Sequence, residues 1–351
     1  MTTTLGDELE DRLLVGARAG EPTHGPSIAD RNRVKKRALT GAEVAVKEEF
    51  VTHRNRKGKG SGVGGEDQPS LHERVTQKII EQLRAGTPPW VKPWSCNGRV
   101  GMPRNYVSGR PYSGINVLLT WLAALEHGFK DTRYLTANQI IELGGSFKGQ
   151  KATRIIFAKE HTRNPGEEGA ETFFVQRLYN VFNAEQVSGA ALEPEDPSPP
   201  FEARVPELEA FIAAQGVAIT HGGDRAFYKP SRDAIVVPHP GNFSAPESYY
   251  AVVLHELAHA SEHPSRLDRP GGPRDTPAYW FNEIRAELTS AMLCAEFGLP
   301  ECAHHAAYLG HYIELLNGDP KAIFSAARQA SQAAMFLGEQ AQRAPELAQA
   351  A

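Results

Sequence analysis

Large apolar residues are sparse over the first 69 positions and become periodic abruptly after Ser70. Val75, Ile79, Ile80 and Leu83 recur at the spacing that places them on one side of a helix. Ser70 and Glu73 make an S-x-x-E capping box ahead of them, and Gly86 ends the run. INVLLTWLAALEH predicts a second helix, closed before Gly128, and ANQIIEL a short third one, capped by Thr136 and broken by Gly144-Gly145. RIIFAKE and TFFVQRLYNVFN, rich in β-branched and aromatic residues, predict strands. SGAALEPEDPSPPFEARVP is proline-rich and acidic and reads as a linker. Beyond it come a helix at ELEAFIAAQ, short strands around VAIT, RAFY and AIVVP, and then mostly helical patterns.

This order predicts an α+β protein of two domains, for which 351 residues suffice. The expected division is a flexible basic arm over 1–69, an N-terminal α/β domain over 70–185 and a linker over 186–205. A mostly helical domain with a small antiparallel sheet follows over 206–340, then a tail over 341–351.

Charge separates the two halves. Residues 31–60 hold ten Lys/Arg against three Asp/Glu, and residues 90–154 hold nine against three. Residues 201–351 reverse the balance, eleven against eighteen. A polyanion is the partner such asymmetry suggests for the first half. The three cysteines, Cys96, Cys294 and Cys302, form no CxxC pair and give neither a disulfide framework nor a zinc finger. No run approaches the ~18 apolar residues of a membrane span, and MTTTLGDELEDRLL lacks an apolar signal core. The expectation is a cytoplasmic protein with no membrane partner.

The chemistry concentrates in VVLHELAHASEHPSRLDR. Ser244 and Glu247 suggest a capping box with Pro246 in the first turn, so a helix over 247–260 sets His255 and His259 one turn apart on one face. Two imidazoles so placed can reach one zinc, or another divalent transition metal, and Glu256 beside them can take a proton from water. A pair of surface histidines is the bland alternative, but Val252, Val253, Leu254 and Leu257 mark the helix as buried, where unmatched polar rings are costly. A third ligand is expected from the helix that Thr276 and Pro277 open and Gly298 closes. It places Glu283 and Glu287 four apart; Glu283 is favoured as the ligand and Glu287 as the carboxylate orienting a ligand histidine, with the reverse open. Tyr228, Tyr249 and Tyr250 are candidates to stabilise an oxyanion, and SRLDR reads as a salt-bridged loop.

In the first half, Trp90 and Trp94 bracket Lys92 in a proline-stiffened loop, and Arg104, Asn105, Arg110 and Tyr112 follow in a glycine-punctuated one. Asn116 opens the next helix. Basic groups for phosphates and aromatic faces for bases are what a single strand requires, so these residues are candidate contacts. Core packing is the competing reading for the tryptophans and the better one for Trp121. No helix-turn-helix, zinc-finger or RNP signature points to sequence-specific readout.

HELAH followed by NEIRAE resembles the gluzincin branch of zinc metallopeptidases, in which the glutamate of the second motif is the third ligand and the later acid supports a histidine. HGGDRAFYKPSRDAIVVP and AYLGHYIELLNGDPKAIFSAARQASQAA extend that resemblance to the metallopeptidase-like domain of ArdC-type antirestriction proteins. LHERVTQKIIEQLRAGTPPWVKPWS, GMPRNYVSGRPYSGINVLLTWLAALEHGF and YNVFNAEQ resemble the same family's N-terminal single-stranded-DNA-binding domain. The likeness covers roughly residues 70–340.

The resemblance implies a DNA-binding antirestriction protein of a mobile element, with single-stranded DNA as its partner. A second reading is a working zinc endopeptidase that the DNA half merely targets; its protein or peptide substrate would add to an edge strand near AIVVP. A third is a structural metal in a pure binding protein.

Overall fold

The computed structural model describes residues 69–91, 101–163, 171–194, 201–269, 271–299 and 306–350. The basic arm up to residue 68, Lys92, Trp94 and the linker's run 195–200 lie outside the described residues.

Helix α1 (Leu71–Arg84) opens with the predicted box: Ser70 N donates to Glu73 Oε2 at 2.6 Å and Glu73 N to Ser70 Oγ at 3.3 Å. It buries Val75, Ile79, Ile80 and Leu83, as their spacing requires. The N-terminal sheet has the order β1-β2-β4-β3, with β1 at Arg104–Asn105, β2 at Arg133–Thr136, β3 at Thr153–Arg163 and β4 at Glu171–Asn183. β3 and β4 pair as a long antiparallel hairpin. Helix α2 (Ile115–His127) packs on this sheet, and α3 (Ala137–Glu142) carries a second box, between Thr136 and Gln139.

The second half starts with α4 (Val205–Ala214), followed by β5 (Ala218–His221), β6 (Phe227–Lys229) and β7 (Ala234–Val237). Then come α5 (Pro246–Ala260), α6 (Pro277–Phe297), α7 (Leu309–Gly318) and α8 (Ala322–Ala350). The α+β class holds, but the small sheet is mixed: its order is β5-β7-β6, with β7 antiparallel to β6 and parallel to β5. β7, the AIVV strand, is therefore central, and the edge strand expected there is not available. Both its backbone flanks are already paired, so β-addition must use β5 or β6.

The box expected between Ser244 and Glu247 does not form. Ala245 takes the extended N-cap position with no side-chain cap, Pro246 begins the helix, and Ser244 Oγ is buried without a hydrogen bond. Proline at the first helical position has shifted the start by one residue.

The two halves share one core. Trp90, Leu118 and Ile155 belong to the same apolar cluster as Leu254, Tyr312 and Ile323. Thr76 Oγ1 donates to Pro320 O at 2.6 Å, Gly114 N donates to Ser331 Oγ at 2.7 Å, and His72 packs on Phe324.

Candidate metal centre and nucleic-acid surface

Helix α5 is buried along almost its whole length, and at its C-terminal end two histidines meet α6. The His255 and His259 rings stand edge to face with centroids 4.8 Å apart, and their Nε2 atoms are 3.2 Å apart. From α6, Glu283 Oε2 lies 3.9 Å from His255 Nε2 and 3.7 Å from His259 Nε2. A triangle with these sides has its circumcentre about 2.1 Å from each corner, and metal–nitrogen and metal–carboxylate bonds measure ~2.0–2.2 Å. Three donors of the right chemistry thus converge on one point that fits a divalent ion. Glu256 is buried beside them.

The carboxylates dominate the electrostatics. Burial opposes charge on His259, but Glu283, Glu256 and Glu262 outweigh it and raise the imidazole to about 9. Behind the ring, Glu262 Oε2 is 4.0 Å and Asn282 Nδ2 is 3.4 Å from Nδ1. Glu262 accepts a hydrogen bond from the buried Arg285 guanidinium, which also donates to Asn282 Oδ1 and, at 2.6 Å, to Gln329 Oε1.

Glu287, expected as the carboxylate that orients a ligand histidine, is held by two donors. It is fully buried; Oε1 accepts from Tyr312 at 2.8 Å and Oε2 from Trp90 Nε1 at 2.8 Å. Glu262, on the turn after α5, approaches the Nδ1 side of His259. Sequence reasoning missed Glu262 and Arg285; the signal was present in a glutamate three residues after His259 and an arginine two residues after Glu283.

The tyrosines are mostly engaged elsewhere. Tyr228 donates to Asp233 at 2.7 Å and Tyr250 to Glu209 at 2.5 Å, while the Tyr249 hydroxyl meets His221 Nε2 at 3.0 Å. Arg266 of SRLDR grips Asp233 with two 2.8 Å bonds and Ala260 O with one of 2.9 Å, the salt-bridged loop that was expected.

The predicted DNA contacts fare less well. Trp90 is fully buried and offers no face to a base. Tyr112 is 9% exposed and packs edge-on against Tyr134; burial pushes its phenol up to about 12. Asn105 spends its amide inside the loop, donating to Tyr134 O and Gln139 Oε1 and accepting from Ser108. Asn116 is buried, and its amide pairs with both backbone groups of Ile156, at 2.8 and 2.7 Å, closing the free edge of β3. Each of these four side chains makes contacts within the protein. Arg104 is half-buried and Arg110 is exposed.

The family models match in two parts: the N-terminal domain of anti-restriction factor ArdC over residues 69–182, and a zincin-like metallopeptidase over residues 206–329. The crystal structure of the antirestriction ArdC protein from the R388 plasmid, metal-free, is 36% identical, covers 78% of this chain and 98% of that one, and superposes with a TM-score of 0.66. The chain belongs to the ArdC antirestriction family. The Mn(II)-bound form of the R388 ArdC protein is similar at a TM-score of 0.64. Protein y4eC of Sinorhizobium fredii (strain NBRC 101917 / NGR234) is 36% identical over 284 residues, 77% of this chain and 92% of that protein. A DNA primase TraC of Escherichia coli is 38% identical over 291 residues, and a second is 36% identical over 294. This ArdC-type chain spans 27% and 20% of the length of those primases. Among the described residues no helix is long and apolar enough to cross a membrane.

Proposed function

We propose that this chain is a single-stranded-DNA-binding antirestriction protein of a mobile element that shields incoming DNA from host restriction. Its metal centre consists of His255, His259 and Glu283, with zinc as the resident ion. The observation that carries the reading is the convergence of those three donors within one bond length of a common point, on a chain whose other half matches the ArdC N-terminal domain. The basic balance of residues 90–154 supports a nucleic-acid partner.

The peptidase reading stands second because Glu256 lies beside the donor triangle. An ion held there supplies Lewis acidity. Glu256 takes a proton from the attacking water, and the buried walls of α5 and α6 exclude bulk solvent. A peptide can add to the sheet at an edge strand, β5 or β6. Glu262, 4.0 Å from Nδ1, is the carboxylate positioned to favour a proton on that nitrogen of His259.

The test is entry of a plasmid bearing many restriction sites, delivered as a single strand, into a restricting host with and without this chain. The reading expects more transformants when the chain is present, and the same gain from Glu256→Gln. No gain from either refutes the shielding role, and a gain lost in Glu256→Gln moves the function to proteolysis.

A further inference from the structure

Burial of Trp90 and Tyr112 removes the aromatic faces expected for DNA and raises the question of which surface replaces them. Resting on the single-stranded-DNA reading above, the register of the β3–β4 hairpin points to one. Phe157 lies opposite Arg177 and Ile155 opposite Tyr179, so these four side chains share a face. Towards the base of the hairpin that face is core, with Ile155 at 2% exposure. The rest of the face is open to solvent: Tyr179, directly across from Ile155, is 40% exposed, and Phe157, one step further out, 47%. Their rings meet edge-on, centroids 5.4 Å apart and planes at 90°.

The surroundings are basic. The opposite face of the same strands carries Arg154 and Asn180, which line a groove of about 540 Å³ between the hairpin, α1 and α2. Arg74, Lys78 and Lys151 also line it, and its one acid, Glu126, is shared by Lys78 at 3.6 Å and Lys151 at 3.5 Å. Cations therefore flank the hairpin on both faces.

We infer that Phe157 and Tyr179 form a stacking platform for unpaired bases of single-stranded DNA, with Arg177 on the same face serving its phosphates. An open aromatic pair needs the flat face of a base, which a duplex keeps inside its stack, so the platform selects single strands over duplex. Surrounding positive charge suits a polyanion better than an apolar partner surface.

The test is fluorescence anisotropy of a labelled oligothymidine with the full chain, run on wild type, Phe157→Ala/Tyr179→Ala and Phe157→Trp/Tyr179→Phe. Loss of a stacked base weakens binding by roughly 5- to 150-fold. The alanine pair should fall in that range with an unchanged circular dichroism spectrum and metal content, and the aromatic pair should bind as wild type does. Unchanged affinity in the alanine pair overturns the platform while leaving the single-strand reading standing. If sedimentation shows that the alanine pair instead loses self-association, the face belongs to a second copy and the platform is likewise overturned. Failure of the wild-type chain to bind the oligonucleotide defeats the platform and the underlying reading together.

Discussion

Trp90 Nε1 donates to Glu287 Oε2 across 2.8 Å, tying residues 197 positions apart and joining the N-terminal half to the helix that bears Glu283 one turn earlier. Glu287 is 0% exposed, and the indole and the Tyr312 hydroxyl both donate to this buried carboxylate. The ArdC-type halves are thus coupled through a polar contact as well as through a shared apolar core.

Trp90→Phe keeps most of the ring volume and removes the donor. Removing a hydrogen bond from a buried carboxylate costs about 1–3 kcal/mol. The urea midpoint should fall accordingly, while single-strand affinity of the folded protein stays within about twofold. A loss of DNA binding without a loss of stability would return the indole to the interface.

Helix α6 ends on a left-handed glycine in close contact with the Arg204 side chain. Gly298 sits at φ +66°, and a Cβ there would fall 1.3 Å from Arg204 Nη1, whose guanidinium donates to Phe297 O at 2.7 Å. Gly298→Ala should therefore lower stability by roughly 2 kcal/mol or more, through left-handed strain and loss of the Arg204 cap. Thermal melts check this, and a shift of under about 2 °C would contradict it.

Where pattern alone was sufficient, the sequence was readable. The capping box at Ser70, the apolar stripe of α1 and the His255–His259 spacing are local, and each followed from a few neighbouring residues. The convergence of Glu283 on the histidines was legible too, because both helices announced their register. What could not be read was long-range partnership. Asn105, Tyr112 and Asn116 look like surface chemistry in a basic loop, yet their partners on the strands lie 22 to 40 residues away along the chain. The exposed pair Phe157–Tyr179 was hidden for the same reason: exposure on a hairpin depends on where its neighbours stop, and no periodicity encodes that.

The raised His259 fixes the sign of a pH effect. In the metal-free protein its imidazole holds its proton up to about pH 9, whereas an unfolded chain releases it near ~6.5. This contribution to stability is fully present below ~6.5 and is lost as pH rises through about 9. A metal must displace that proton, so affinity should climb with pH across the same window and binding should release protons. Calorimetry in buffers of different ionisation enthalpy measures the release directly. Affinity flat between pH 6.5 and 9 would contradict the assignment of His259.

Replacing donors should separate ligand from base. Glu283→Ala and His259→Ala should each lower metal affinity by at least about a hundredfold, whereas Glu256→Gln should keep the metal and abolish any peptide hydrolysis. Metal content after dialysis distinguishes them. Retention of a full equivalent by Glu283→Ala would remove it from the ligand set.

The central claim is that one chain holds single-stranded DNA and a divalent metal at separate places. Titration of labelled single-stranded and duplex DNA at two salt concentrations, with metal-loaded and chelator-treated protein in parallel, tests it most directly. The account predicts preferential binding to single strands, weaker at higher salt and unchanged by chelation. Binding that vanishes when the metal is removed, or that favours duplex, would contradict it.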